Sequence, residues 1–546
     1  MKTWLTKLFG GADSAVPQDA PFPPPWAAER PSIYRFLAAY QLAGDQPLPA
    51  EADVLPDEAV LHAGSDTELR WAPGALDGVL GHHSSAASES DAAVLQEALL
   101  CAARSPTRHN LQQFYRLIET DKALGQVDAL MARLRHIPQL PLAELYALVR
   151  WLAMECPDRG PLKIAIALLG LFRPAYEREL LMRLGMHDEF TLYALVSLGN
   201  TLNGGEVEDA WWSLARRVNG WGRIHLVERL ARTERADIRH WLLREGYKNS
   251  IMDEYLAYAC ASGGDLLGSL RADAVDPALL LGAGEIIAAL IAGGPAQDID
   301  DYADGAAVLR AYLERLLAMR PTRLEHLSAV EAIISFVEDE ERAWDTLAAH
   351  GWDRSVRAKV AALAGQVLAL DYWPGLVVRQ LSDPDAAAFA SASRAASAVG
   401  IDPWEAYYER QVRGGSDQWY FLMQTDDPLR VRRVIALALS QIDLDAIGGG
   451  AALANGFGEE FAPHRVLDSL LQGLGRFPAT GYVLIQAGLR SPVIRNRNLA
   501  MRALRDWTPA NWPSDARADL QRAYETEPNA DVRQNLARLL AGQALE

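Results

Sequence analysis

The sequence is poor in the residues that most often announce chemistry. Cysteine is rare, with Cys101, Cys156 and Cys260 the only three in 546 residues, and no two of them stand in CxxC spacing. A disulfide framework or a thiolate zinc site is therefore excluded, and buried free thiols in a reducing cytoplasm are expected. Lysine is scarce as well, at six against forty-seven arginines. With abundant alanine, that bias fits a GC-rich bacterial genome. No segment alternates β-branched or aromatic residues with polar ones, and no Asn-Gly or Asp-Gly turn joins such segments, so strands are not expected. Long apolar runs are missing too. The longest, Leu279–Ala292, carries Glu285 and is too short to cross a bilayer. The Met1–Gly11 stretch is not a secretory signal, because Lys7 interrupts a short apolar run. Positive charge does not predominate either: the net charge is −18, which disfavours a partner with a phosphate backbone.

Catalytic and metal-binding patterns are equally sparse. HExxH, GxSxG and a phosphate-binding loop are all absent. Gly282-Ala283-Gly284 has two of the three glycines of a dinucleotide fingerprint, but it lies in a helical apolar run and reads as close helix packing. The acidic stretch from Asp298 to Gly305 fails the calcium-loop pattern, since Leu309 or Ala311 falls where the twelfth-position Glu is needed. It reads as a turn before a helix. His82-His83 has too few acidic neighbours for a metal set, and His225 with Glu228 reads as a hydrogen-bonded pair on one helical turn. No catalytic residue, metal or cofactor is expected.

What the sequence does contain is helical periodicity. Residues 1–31 divide into a short amphipathic segment, with Trp4, Leu5, Leu8 and Phe9 on one face, and a Pro-rich linker separable from the body. That apolar face is expected to fold back or dock on a partner. Contact with a membrane surface through residues 1–9 is the weaker use, because one short helix with two lysines is a poor anchor. Residues 32–90 form an acidic, partly irregular segment. Between Asp45 and Asp91 there are ten carboxylates and one Arg. From Asp91 onward, apolar residues recur at i, i+3, i+4 and i+7 in stretches broken by Pro or Gly. The region 91–350 reads as divergent helical repeats and 351–546 as more regular ones. After Gly400 the chain has sixteen Arg, no Lys and eighteen carboxylates.

One phrase recurs through this array: Asp-Pro or a close variant, a few residues, then Arg opening an Ala/Leu-rich helix. It reads as Asp426-Asp427-Pro428-Leu429-Arg430-Val431-Arg432, as Ser491-Pro492-Val493-Ile494-Arg495, and as Glu527-Pro528-Asn529-Ala530-Asp531-Val532-Arg533. These phrases resemble HEAT repeats. The resemblance implies an all-α fold, an α-solenoid of antiparallel helix pairs forming a HEAT/armadillo-like superhelix. It also implies a ladder between neighbouring repeats, in which the matching residues Asp427, Arg432, Arg495, Asp531 and Arg533 are structural. A fainter similarity, carried by Trp221-Gly222-Arg223-Ile224-His225-Leu226 and by Trp241-Leu242-Leu243-Arg244-Glu245-Gly246, is to bacterial HEAT-like proteins, some labelled limonene hydroxylases. No oxygen-activating set of residues supports that activity here.

The expected role is a non-catalytic cytoplasmic scaffold that binds a protein partner through its solenoid surface. The alternatives are a small-molecule enzyme with an unrecognised site and a HEAT-fold DNA-binding protein resembling alkylpurine glycosylases. Tyr407, Tyr408, Arg410, Arg413, Trp419 and Tyr420 combine the residue types that dominate interface energies, so this tract is the candidate partner-binding surface.

Overall fold

The acidic-Pro phrase acts first as a helix start. Asp276 and Asp427 each precede a Pro in the first helical turn, and their carboxylates accept the backbone N–H of Leu279 and Leu429, both at 2.8 Å. Asp353, Asp385 and Asn529 cap the helices that follow them in the same way. Each cap satisfies an orphan donor and is worth about 1 kcal/mol. Asp427 thus caps its own helix, and at the last repeat the cap is Asn529, with the exposed Asp531 in the first turn.

The computed structural model describes residues 22–61, 71–83, 89–120, 123–172, 177–414 and 417–545. It is all-α, with 68% of the described residues helical. Among the described residues there is no strand, only an isolated bridge between Ala454 and Val493, and no single helix is long and apolar enough to cross a membrane. Helices pack chiefly on those one or two places along the chain. Trp221–Leu230 packs on Asp188–Thr201, Gly204–Ala215 and Glu254–Gly263; Ile494–Trp507 packs on Ala462–Leu474, Tyr482–Leu489 and Ala530–Leu540. Gly282 permits the closest of these approaches, since a Cβ there would meet the Leu243 carbonyl oxygen at 2.0 Å.

The chain divides into two compact units, residues 1–370 and 371–546, each with its own apolar core. The division falls beyond the expected boundary at 350. The helix Arg354–Leu368 belongs with the first unit, where it packs on Gly305–Met319 and Glu325–Glu338 and buries Val360, Ala364 and Val367.

The N-terminal region differs most from expectation. Trp4, Leu5, Leu8 and Phe9 lie outside the described residues, but from Phe22 onward the Pro-rich stretch is docked. Trp26 stacks on Trp151 with ring centres 5.0 Å apart, and Phe22 lies 5.1 Å from the same ring. Arg30 Nη1 donates to Asp158 Oδ2 at 2.9 Å, and the Tyr115 hydroxyl donates to the same carboxylate. The cysteines are not uniformly buried, for Cys101 is exposed. Cys156 is buried near Tyr115 and Asp158, and burial pushes its thiol up to about 12.

The acidic segment is held by ion pairs to distant residues. Arg159 Nη2 lies 3.0 Å from Asp57 and 2.5 Å from Glu58. Lys163 has no exposed surface, and its Nζ lies 2.8 Å from Asp77 and 2.5 Å from Glu189. The backbone N–H of Gly74 donates to the same Glu189 carboxylate at 2.8 Å. Burial alone would raise the Glu189 carboxyl, but the Lys163 and Arg159 charges outweigh it and hold the group well below the ordinary carboxylate range.

Two outcomes follow. Lys163→Met leaves Asp77 and Glu189 without their ammonium and should cost about 3–5 kcal/mol in denaturant unfolding; an unchanged midpoint would show that the pair contributes little. Because the folded-state pKa of Glu189 is depressed below its unfolded value of 4.5, its contribution is present above that pH and lost as pH falls further. Melting temperature should therefore fall on acidification below 4.5, and less so in Glu189→Gln once its own lower starting stability is subtracted.

Candidate interaction surfaces

The aromatic tract in the second unit is mostly packed. Tyr407 and Trp419 are buried, with Tyr407 stacked on Phe421 at 4.8 Å. Tyr408 is half-buried, stacked on Trp404 at 5.3 Å beneath the Arg433 guanidinium. Arg410 donates to the carbonyls of Asp383 and Pro384 and lies over the Phe389 ring. Arg413 is exposed and pairs with Glu409 on its own helix. Of the six residues, Tyr420 and Arg413 are the two that face solvent, joined there by Phe421. Gly415 and Ser416 of the turn lie outside the described residues.

The arginines that open the repeats also sort differently. Arg432 and Arg533 are exposed, with no ion pair or side-chain hydrogen bond among the described residues, and Arg495 is exposed while reaching Asp468 at 3.3 Å. The arginines that pair back to the Trp404–Arg413 helix and the turn before it are Arg430 with Asp402 at 2.6 Å and Arg433 with Glu405 at 2.7 Å. Arg497 is the buried one. Its Nε and Nη2 donate to the two oxygens of Glu527 at 2.6 and 2.7 Å, and both side chains are almost wholly out of solvent. A two-residue offset turns a helix by about 200°, so Arg495 and Arg497 face opposite ways although they read alike in sequence.

Arg497 also fixes a loop. It donates to the carbonyls of Ser491 at 2.7 Å, Pro492 at 3.0 Å and Ala452 at 2.9 Å. Ala454 N donates to Pro492 O, and Ile494 N donates to Ala454 O. The loop passes Val493 so closely at Gly456, where φ is +81°, that a Cβ would meet a valine methyl at 2.9 Å. Alongside runs a second buried polar network. Asn496 Nδ2 donates to Asp468 Oδ1 at 2.6 Å, the Ser491 hydroxyl donates to Asn496 Oδ1 at 2.8 Å, and His464 Nδ1 lies 3.0 Å from both Ser491 Oγ and Asn496 Oδ1. Burial pushes the Asp468 carboxyl above its ordinary value, against the pull of Arg495 and the Asn496 amide.

Beside the Ile494–Trp507 helix that carries these networks lies an open groove of about 550 Å³. The loop brings Asn455 to it; the helices bring Gln472, Arg495, Asn498 and Arg502. Arg502 is exposed and has no ionic partner among the described residues. The first unit has grooves of about 600 and 380 Å³ that share Arg229 and Arg232. Arg229 donates to the His225 carbonyl, and burial lowers its pKa. Glu228 and Glu208 line these two grooves and offset the arginine charge. No group of three or more His, Cys, Asp or Glu suited to a metal ion occurs among the described residues.

Sequence reasoning missed Arg497, Glu527 and the groove. The Glu527-Pro528 phrase was the available signal, because its acidic residue stands where a neighbouring helix can reach it. Arg497→Ala should cost about 3–5 kcal/mol by leaving Glu527 buried and unpaired, whereas Arg432→Ala should leave the melting curve unchanged. Equal effects from the two would show that Arg497 is not the anchor of this unit.

No family model and no curated protein matches the chain. Among solved structures, the crystal structure of an engineered protein aligns over 83% of this chain and 98% of its own, at 16% identity and a TM-score of 0.21. A superposition that loose carries no argument about arrangement or role.

Proposed function

We propose that the chain is a non-catalytic scaffold whose units are HEAT-like stacks of helix pairs, each a short α-solenoid, and that it binds a protein partner through the helix faces left to solvent. The observation that carries this reading is the pattern of packing, in which most helices are covered chiefly by near neighbours along the chain. Such stacking buries one side of most helices, though Arg159–Leu169 is buried nearly all round, and leaves exposed faces with open grooves between them. The arginines that pair back to an earlier helix and its leading turn, Arg430 to Asp402 and Arg433 to Glu405, support the HEAT-like reading within it. Exposed Tyr420 and Phe421, and the grooves beside Tyr258 and Asn498, are the surfaces available to a partner. Cytoplasmic residence belongs to the same proposal and rests on the cysteine pattern.

Photo-cross-linking tests it. A photoreactive residue at Tyr420, and separately at Tyr258, should yield discrete cross-linked species with a second protein when the full chain is expressed in its host. A chain that cross-links only to itself, or not at all, from both positions overturns the scaffold reading.

A further inference from the structure

We infer that the groove beside the Ile494–Trp507 helix is a docking site for an extended, acidic segment of a partner protein. The inference rests on the scaffold reading and gives that partner a chemistry.

The first argument is charge. Two arginines, Arg495 and Arg502, line this groove, and no carboxylate does. Asp468 lies beside it, but its carboxylate is largely buried and already engaged by Asn496 and Arg495. Arg502 makes no ion pair among the described residues, and Asp506, one turn along its helix, is engaged by Arg505. The grooves of the first unit also hold arginines, yet each has a glutamate in its wall. The second-unit groove therefore keeps a positive surface on a chain whose net charge is −18. A planar guanidinium recognises a carboxylate through two parallel N–H donors, a geometry that lysine does not offer, and the chain beyond Gly400 contains no lysine.

The second argument concerns what stands between the arginines. Asn455, Gln472 and Asn498 each present an amide that can donate and accept. Amides suit the alternating N–H and C=O groups of an extended peptide backbone. Ile494 and Leu499 add aliphatic contact for side chains that point inward. No aromatic ring lines the groove, so there is no platform for stacking bases. The composition thus favours a peptide with spaced carboxylates over a nucleic acid strand.

The third argument is preorganisation. Asn455 sits on a loop held by Arg497 through the Ala452 carbonyl and by the bridge from Ala454 to Val493. Arg495 is steered by Asp468, itself fixed by the buried Asn496 amide. Both walls are thus fastened from within, which lowers the entropic cost of binding a flexible segment.

The test is fluorescence anisotropy with the full-length chain and a fluorescein-labelled peptide of repeating Glu-Thr-Asp. Saturable binding is expected, weakening as salt is added. Arg502→Glu, which breaks no ion pair or hydrogen bond among the described residues, should melt like the parent and bind about tenfold or more weakly. Asn498→Ala should weaken binding with the salt dependence retained. No saturable binding, equal binding of a repeating Gln-Thr-Asn peptide, or parental affinity in Arg502→Glu overturns the inference. So does tighter binding of oligothymidine than of the acidic peptide, which would mark a general polyanion site. If the peptide fails while cross-links to a protein partner persist at Tyr420 or Tyr258, the scaffold reading stands and this groove is not its acidic-segment site. If both fail, both readings fall.

Discussion

A guanidinium removed from water must have its charge matched and its N–H groups satisfied, and the second unit is built around meeting that requirement at Arg497. Its fork meets both oxygens of Glu527, and its remaining donors reach three backbone carbonyls. One side chain thereby ties the Ile494–Trp507 helix to the turn before the Ala530–Leu540 helix and to the loop at Ala452. The apolar core of this unit is rich in Leu and Ala beside a few aromatics such as Trp404, Trp419 and Trp507, and aliphatic faces of that kind pack in several registers with little difference in energy. The ion pair admits one register.

The first unit solves a comparable problem with Lys163 and Arg159. Here four carboxylates, Asp57, Glu58, Asp77 and Glu189, converge on two cations at the start of the Arg159–Leu169 helix. Three of the four come from the acidic N-terminal segment. A segment that looks like solvated chain by composition is in fact laid across the helices because its charges have specific buried partners. The stretch from Phe22 to Ser32 is fastened beside it by Trp26 on Trp151, Arg30 on Asp158 and the Ser32 hydroxyl on the Met154 carbonyl.

How legible this was in the sequence depends on the range of the interaction. Helix content and helix starts are local. The period of the apolar residues and the capping aspartates lie within a few residues of one another, and Asp276, Asp353, Asp385 and Asp427 behave as such residues should. The docking of the acidic segment is not local, for Asp57 and Arg159 are 102 residues apart. A count of charges in a window sees ten carboxylates and one arginine and cannot see the cations that await them. The repeat arginines fall between these cases. Their presence was readable, but the facing of Arg495 against Arg497 turns on helix phase, and the motif alone does not set that phase. The aromatic tract from Tyr407 to Tyr420 shows the same limit. The residue types that dominate interfaces are also those that fill cores, and Trp419 and Tyr407 do the latter.

The buried pairs also bear on why polar groups persist in cores that apolar residues could fill. Replacing a buried ion pair with well-packed hydrophobes is often neutral or stabilising, so net stability is a poor reason to retain one. A stack of many helices faces a different hazard. Neighbouring helices present Ala/Leu-rich faces, and a helix that slips by one turn, or pairs with the wrong neighbour, still buries hydrocarbon. The cost of such an error is small if the core is wholly apolar. With Arg497 and Glu527 in place, any mispairing strands a guanidinium or a carboxylate in an apolar setting, at about 3–5 kcal/mol. Lys163 with Glu189 imposes the same penalty on the first unit. Specificity of pairing, more than depth of the energy well, is what these charges contribute, each within its own unit, and it fixes which helix faces that unit leaves to solvent.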